Sequence, residues 1–415
     1  MRSKTYPTKL QEHLSRLPVA HALSQKDLQL LQAYALQFRP TFQELKSLHS
    51  IFIDFKMWGH PLQSETFTSK DLLLNYYKGM HQLCIKNGRS YAQETLREAK
   101  QPTFVYKPLP PEDKILGTCP VASEKTLCCN LLTLDAARNC AFDCSYCSIR
   151  SFYPDNAVYI ENNLAEKLNK LQLDPHKTYH IGTGQSSDSL IWGNRSNIFD
   201  ALLAFAHKNP NVILEFKSKS NNIDYFLNRK IPRNIIFTWS LNPEIVIKNE
   251  EPMTSTLAAR LKAAEQLSKA GNLVGFHFHP IFVYEGYEND YLDLIGQLTS
   301  LFTPEQVATV SMGTLTFTKK SLRLIRKKNI QSKVLQMELE EIAGKYSHST
   351  DTKVHLFSTI YQMFQAWHGK VFFYMCMEEK KIWEKVFNFS YATNDDFDTA
   401  MKTAYLGKIY THTLF

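Results

Sequence analysis

The sequence predicts an α/β protein built on a partial (β/α)6 barrel with an N-terminal helical region. Short β-rich runs alternate with helical patterns of about ten residues, giving about six repeats between 127 and 330, as expected of βαβ units and a parallel sheet. Polar and glycine-containing motifs fall just after the strands, at the edge where parallel sheets carry their chemistry. The first hundred or so residues instead show helical periodicity alone.

In that first region Gln25 to Phe38 places apolar residues at three-to-four spacing, and Thr41 to Phe55 resumes it after Pro40. Lys70 to Ile85 and Tyr91 to Ala99 are two more predicted helices, parted by Asn87-Gly88. The run PTFVYKPLPPEDK, Pro102 to Lys114, holds four prolines and reads as an extended connector, since each proline fixes φ and removes a donor.

Strands are then predicted at Leu131–Leu134, Thr178–Ile181, Val212–Phe216, Ile235–Ser240, Leu273–His279 and Val307–Leu315. Between them come helices at Leu164–Leu171, Ile198–Ala206, Ile223–Leu227, Leu257–Ala270 and Tyr291–Phe302. A helix at Tyr361–Trp367, a strand at Val371–Tyr374 and a helix at Asp395–Ala404 follow. The expected organisation is a helical accessory region with its connector over 1–110, the partial barrel over 120–335 and a C-terminal α/β extension over 336–415.

With 415 residues, 44% hydrophobic and 21% charged, the chain is composed like a folded soluble protein. Its N-terminus has no apolar signal core, and no window holds eighteen uninterrupted apolar residues, so the expectation is a cytoplasmic protein with no membrane partner. The net charge of +8 suits nucleic acid or another polyanion, and equally a soluble protein with a basic surface. Its densest basic stretch surrounds Lys319, Lys320, Arg323, Arg326, Lys327 and Lys328. Helical spacing puts Lys319, Arg323 and Arg326 on one face, fit for phosphate or for plain solvation.

The strongest chemical signal is NCAFDCSYCSIR, where Cys140, Cys144 and Cys147 stand in C-x3-C-x2-C spacing. Three thiolates packed together suit a [4Fe-4S] cluster with one iron left open. A zinc site completed by Cys128, Cys129 or His180 is the alternative, although zinc knuckles commonly pair C-x2-C units. A noncatalytic cluster capped by Cys119 or Cys129 is another. Cys119, Cys128, Cys129 and Cys376 read as small buried hydrophobes, or as thiols able to donate hydrogen.

Gly182-Thr183-Gly184 lacks phosphate-loop spacing and suits close approach of backbone to a cofactor, or a tight turn. His277 and His279 share a strand face, either lining the barrel or packing at the sheet end. Asn242, Lys248, Asn249, Glu250 and Glu251 read as a polar loop, and Thr254 or Ser255 as the cap of the following helix.

The spacing, with Tyr146 just before the third cysteine, resembles the cluster loop of radical S-adenosylmethionine enzymes. Two stretches, KSKSNNIDYFL from Lys217 to Leu227 and Phe237 to Tyr291, are similar to the spore photoproduct lyases, and the similarity covers roughly 125 to 345. The resemblance implies that Cys140, Cys144 and Cys147 hold [4Fe-4S] and that its open iron binds S-adenosyl-L-methionine. Reductive cleavage would then release a 5'-deoxyadenosyl radical. It places Ser186, Lys219 and Ser240 on that cofactor, with Asp188 and Asn242 as further pocket residues. It also implies a reductant such as flavodoxin or ferredoxin and a thymine-type lesion in DNA or another nucleic acid.

The chain departs from the family at telling positions. Gln185 stands where the lyases carry a cysteine that donates hydrogen to the thymine radical. Tyr146 matches one tyrosine of their proposed radical relay, but Ser148 replaces the other. The basic and aromatic hairpin that enters DNA in the lyases has no counterpart in KYSHSTDTKVH, Lys345 to His355. A radical enzyme acting on a protein or small molecule, and a noncatalytic cluster-containing nucleic-acid-binding protein, are the competing expectations.

Overall fold

A computed structural model describes residues 5–17, 22–87, 90–91, 104–119, 125–153, 157–328, 330–342 and 344–411. Its main sheet has eight strands: β1 (Leu116–Thr118), β2 (Leu132–Leu134), β3 (Tyr179–Gly182), β4 (Val212–Ser218), β5 (Ile235–Ser240), β6 (Leu273–Ile281), β7 (Val307–Thr314) and β8 (Phe372–Met375). Spatial order follows chain order. β1 runs antiparallel to β2, and every later pairing is parallel. The result is a curled, partial barrel. Its six parallel strands from the central region are those the alternation predicts, and β8 adds a seventh from the C-terminal segment.

Strands covered on both faces read as near-continuous apolar runs, and β5, IIFTWS, is buried throughout. Helices Ile198–Lys208, Leu257–Lys269, Tyr287–Leu301 and Thr350–Met363 cover the sheet, burying Phe199, Leu261, Leu294 and Phe357 in one continuous core. The cap of Leu257–Lys269 is Thr256, which accepts from Ala259 N–H, and not Thr254 or Ser255. Those two are drawn aside, Thr254 by Arg260 and Ser255 by Asn221.

Four helices precede the barrel: α1 (Tyr6–Ser15), α2 (Gln25–Phe38), α3 (Phe42–Trp58) and α4 (Lys70–Asn87). Thr41 and Glu44 form a reciprocal capping box that starts α3, and Gly59, at φ 72°, ends it. The helix predicted at Tyr91–Ala99 lies outside the described residues beyond Tyr91. The N-terminal core incorporates Phe282, Leu315, Phe317, Ile325 and Val334 from the barrel side. Asp54, 1% exposed, takes both Arg326 Nε at 2.7 Å and Nη2 at 2.9 Å. Arg326 is thus a docking residue rather than part of a free basic face.

Local differences have local causes. Within the proline-rich connector Val105–Pro108 pairs in parallel with Ala157–Ile160, because an edge position tolerates proline. The expected polar loop after Asn242 contains a helix, Glu244–Glu250, that buries Val246 and Ile247. Among the described residues no helix is long and apolar enough to cross a membrane.

Candidate active site

A cavity of about 400 Å³ opens at the C-terminal ends of the strands. The loop after β2 brings Cys140, Cys144, Tyr146 and Cys147 to its wall, and the loop after β3 brings Gln185, Ser186 and Asp188. Lys219 follows β4, and Ser240 ends β5. Every site residue expected from the sequence except Asn242 therefore lines one space. Asn242 is fully buried, giving Nδ2–H to Glu251 at 2.8 Å and accepting from Tyr291 OH at 2.8 Å.

The cysteine loop enters through Asn139, whose φ of 68° is a left-handed conformation that asparagine tolerates. Asn139 Nδ2 donates to Ala157 O at 2.9 Å, and its carbonyl accepts Ser187 Oγ–H at 2.7 Å. Further along, Ser145 N–H donates to Glu250 O at 2.8 Å, while Ser145 OH donates to the Glu250 carboxyl group and Tyr146 OH to that of Glu251. Lys328 Nζ donates to Cys144 O at 2.9 Å. The loop is held by groups from four separate parts of the chain.

Glu250 and Glu251, which the sequence shows only as members of a polar loop, support the cysteine loop. Arg260, 0% exposed, pairs with Glu251 at 2.6 Å and donates from Nη1 to Ser240 O at 2.8 Å. Burial pushes the Glu251 carboxyl up, but Arg260, Lys219 and the hydrogen bonds from Tyr146 and Asn242 hold it at about 2. For Glu250 burial raises the carboxyl against hydrogen bonds from Ser145, Ser332, the Lys333 N–H and Tyr91. The available signal was Arg260 itself, a charge at helical spacing among Leu257, Leu261 and Ala264 on a buried helix face.

Lys219 projects into the cavity 5.5 Å from the Tyr146 ring centroid. Burial opposes its charge, but the Glu251 carboxylate above all outweighs that and raises its pKa. Asp188 shapes this corner through its acceptors: its carboxylate takes Lys219 N–H at 2.7 Å, Leu190 N–H at 2.9 Å and Ser218 OH at 2.8 Å. Gly184 serves packing more than cofactor approach, since a Cβ there would lie 2.5 Å from Lys217 O.

The three loop thiols fit a polynuclear metal group. Burial raises Cys140, with Asp188 and the other two cysteines adding to the rise, and pushes Cys144 up to about 12. Thiols raised like Cys140 and Cys144 ionise together only with strong positive charge beside them, which bound iron would provide. Among the described residues no three His, Cys, Asp or Glu side chains close on a point that one ion would occupy. Cys140, Cys144 and Cys147 all line the main cavity, where together they could serve as ligands to a cluster with several irons.

A second polar group fills the barrel interior. Glu215 accepts from His180 Nε2–H and His277 Nε2–H, both at 2.8 Å, and from Thr238 OH at 2.8 Å. His277 Nδ1 meets Ser311 Oγ, and His279 Nε2 meets the same oxygen at 3.0 Å. His277 and His279 thus share a face, as their alternation implies, with His277 packed and His279 reaching the cavity wall.

The family profile of spore photoproduct lyase matches residues 131–370, more than half of the chain. The chain belongs to the spore photoproduct lyase family. It is 35% identical over 136 residues to the spore photoproduct lyase of Bacillus subtilis, and 32% identical over 140 residues to that of a Geobacillus species. Each alignment takes in 32% of this chain and 39% of the relative, so the chain spans about two fifths of the length of these curated relatives. Solved structures of the family share the fold. A spore photoproduct lyase complexed with dinucleoside spore photoproduct superposes with a TM-score of 0.56 at 19% identity, covering 72% of this chain and 93% of the other. A double mutant with bound AdoMet and dinucleoside spore photoproduct gives 0.54 at 20% identity, with the same coverage.

Proposed function

We propose that this chain is a radical S-adenosylmethionine enzyme of the lyase type acting on a thymine-type lesion in nucleic acid. The observation that carries the reading is the convergence of Cys140, Cys144 and Cys147 with Lys219, Ser186 and Ser240 on one cavity. The cysteines would hold [4Fe-4S], and the cluster with S-adenosylmethionine would supply a carbon radical able to abstract hydrogen from substrate. The chain's own residues bind and orient. Lys219 offers a half-buried cation to a carboxylate, Ser186 and Ser240 offer hydroxyls, and the Glu250–Glu251–Arg260 group holds the loop so that the thiols keep their places.

A nucleic-acid substrate is supported by the cavity's mouth. Phe152 lines it and is 53% exposed, with Lys320 Nζ 5.9 Å from its ring centroid. An exposed aromatic beside a cation suits a base beside a phosphate. Gln185 also lines the cavity, and an amide cannot give a hydrogen atom as a thiol can.

The test is anaerobic reconstitution of the full chain with iron and sulfide, followed by S-adenosylmethionine, a low-potential reductant and dinucleoside spore photoproduct. Wild type should bind iron, form 5'-deoxyadenosine and release repaired dinucleotide. Cys140→Ala, Cys144→Ala and Cys147→Ala should each lose the iron chromophore and 5'-deoxyadenosine formation. Retention of both in all three variants overturns the site. Formation of 5'-deoxyadenosine without repair moves the substrate to a protein or small molecule.

A further inference from the structure

Beyond the cysteine loop, one more thiol opens into the main cavity. Cys376 directly follows β8, at the same edge of the sheet as the other cavity residues, with its N–H held by Met312 O at 2.8 Å. It also lines a second cavity of about 180 Å³ with Cys119, Cys128 and Cys129. Gln185, Lys217 and His279 border both spaces, so Cys376 stands in a shared wall. An antiparallel bridge between Leu127 and Glu378 runs the segment of Cys128 and Cys129 against that of Cys376 and fixes this wall.

The chemical state of this thiol suits one task. Burial pushes Cys376 up to about 12, with the Lys217 ammonium opposing the rise, so it carries its hydrogen at neutral pH. A thiolate has no hydrogen atom to give, whereas a thiol S–H is weaker than the C–H bonds a carbon radical forms. Cys128 differs: a hydrogen bond from Cys129 lowers it to about 6. It lines the second cavity alone.

We propose that Cys376 is the hydrogen-atom donor to the carbon radical left on the substrate, an assignment that rests on the radical reading above. The Sγ–H bond breaks homolytically, a C–H bond forms on the substrate, and a thiyl radical remains at Cys376. One electron from a one-electron flavin or iron–sulfur protein, and one proton from the Lys217 ammonium, restore the thiol. Lys217 is suited to release that proton, because burial lowers its pKa.

The experiment is the reconstituted full chain turning over dinucleoside spore photoproduct in D2O, where thiols exchange to S–D. Wild type should place one deuterium on carbon in the repaired dinucleotide. Cys376→Ser should still bind iron and form 5'-deoxyadenosine while deuterated product falls about tenfold or more; Cys128→Ser should keep wild-type incorporation. Deuteration by Cys376→Ser at the wild-type level overturns the assignment and leaves the radical reading intact. Absence of 5'-deoxyadenosine from wild type overturns both, and its formation without repaired product overturns the assumed substrate together with this donor. Should Cys376→Ser not fold, spin trapping during wild-type turnover with peptide mass mapping decides. An adduct on the peptide bearing Cys376 supports the donor, and its absence overturns it.

Discussion

Two buried carboxylates sit in one barrel and are neutralised in opposite ways. Glu251 is answered by a charge: Arg260 pairs with it at 2.6 Å, and Tyr146 and Asn242 complete its shell. Glu215 is answered by several hydrogen bonds, from the imidazoles of His180 and His277 and the hydroxyl of Thr238. Burial and the neighbouring Lys217 depress His277 to about 4, so its imidazole is neutral at physiological pH. Glu251 carries the cysteine loop through Tyr146, whereas Glu215 links β3, β4, β5 and β6 from within. A charged anchor resists local rearrangement strongly, because losing one partner strands the other. An anchor shared among several hydrogen bonds tolerates a lost member at lower cost.

The largest expected effect follows from that difference. Arg260→Leu leaves Glu251 buried without its cation and should destabilise the fold by about 3–5 kcal/mol. His277→Asn removes one of several donors to Glu215 and should cost about 1–3 kcal/mol. Urea unfolding of the metal-free proteins at pH 7 measures both. Equal losses would mean that the two carboxylates are held alike after all.

Acid titration separates the two groups next. His277, with a folded value of about 4 against an ordinary 6.5, contributes stability that is full above pH 6.5 and lost as pH falls towards 4. Glu251, at about 2 against 4.5, contributes stability that is full above pH 4.5 and lost as pH falls towards 2. Each window is worth about 3 kcal/mol. Stability measured in urea from pH 7 to pH 3 should fall in both windows. His277→Asn should flatten the upper one alone, and Glu251→Gln the lower one. A flattened lower window in His277→Asn would show the groups to be coupled.

The same contrast explains what could be read from the chain. Cys140, Cys144 and Cys147 are eight residues of continuous sequence, so their spacing survives without knowledge of the fold. The strands β2 to β7 were legible because burial on both faces leaves apolar runs between helical periods. The anchors were not, because Glu251 meets Tyr146 across 105 positions and Arg326 meets Asp54 across 272. Glu250 and Glu251 read from the sequence only as members of a polar loop, since charge usually marks the surface. Burial turns those same charges into the loop's supports. Asn242 misled in the opposite sense: it follows a strand beside the cavity, yet Tyr291 and Glu251 draw both ends of its amide into the protein.

The smallest effect tests how tightly the loop depends on its charged anchor. Tyr146→Phe keeps the ring against Phe282, at 5.4 Å between centroids, and keeps the ring face near Lys219. It deletes only the hydroxyl given to Glu251, which retains Arg260 and Asn242. The expected cost is about 1.5 kcal/mol, the low end for one hydrogen bond to a charged acceptor that keeps its other partners. Hydrogen exchange offers a sharper readout than global stability. Ser145 N–H is bonded to the backbone carbonyl of Glu250, not to the Glu251 side chain, so its protection should drop only with the global loss. Selective loss of protection at Ser145 and Cys147 would show that the Tyr146 hydroxyl, and not the backbone bond to Glu250, sets the position of the cysteine loop.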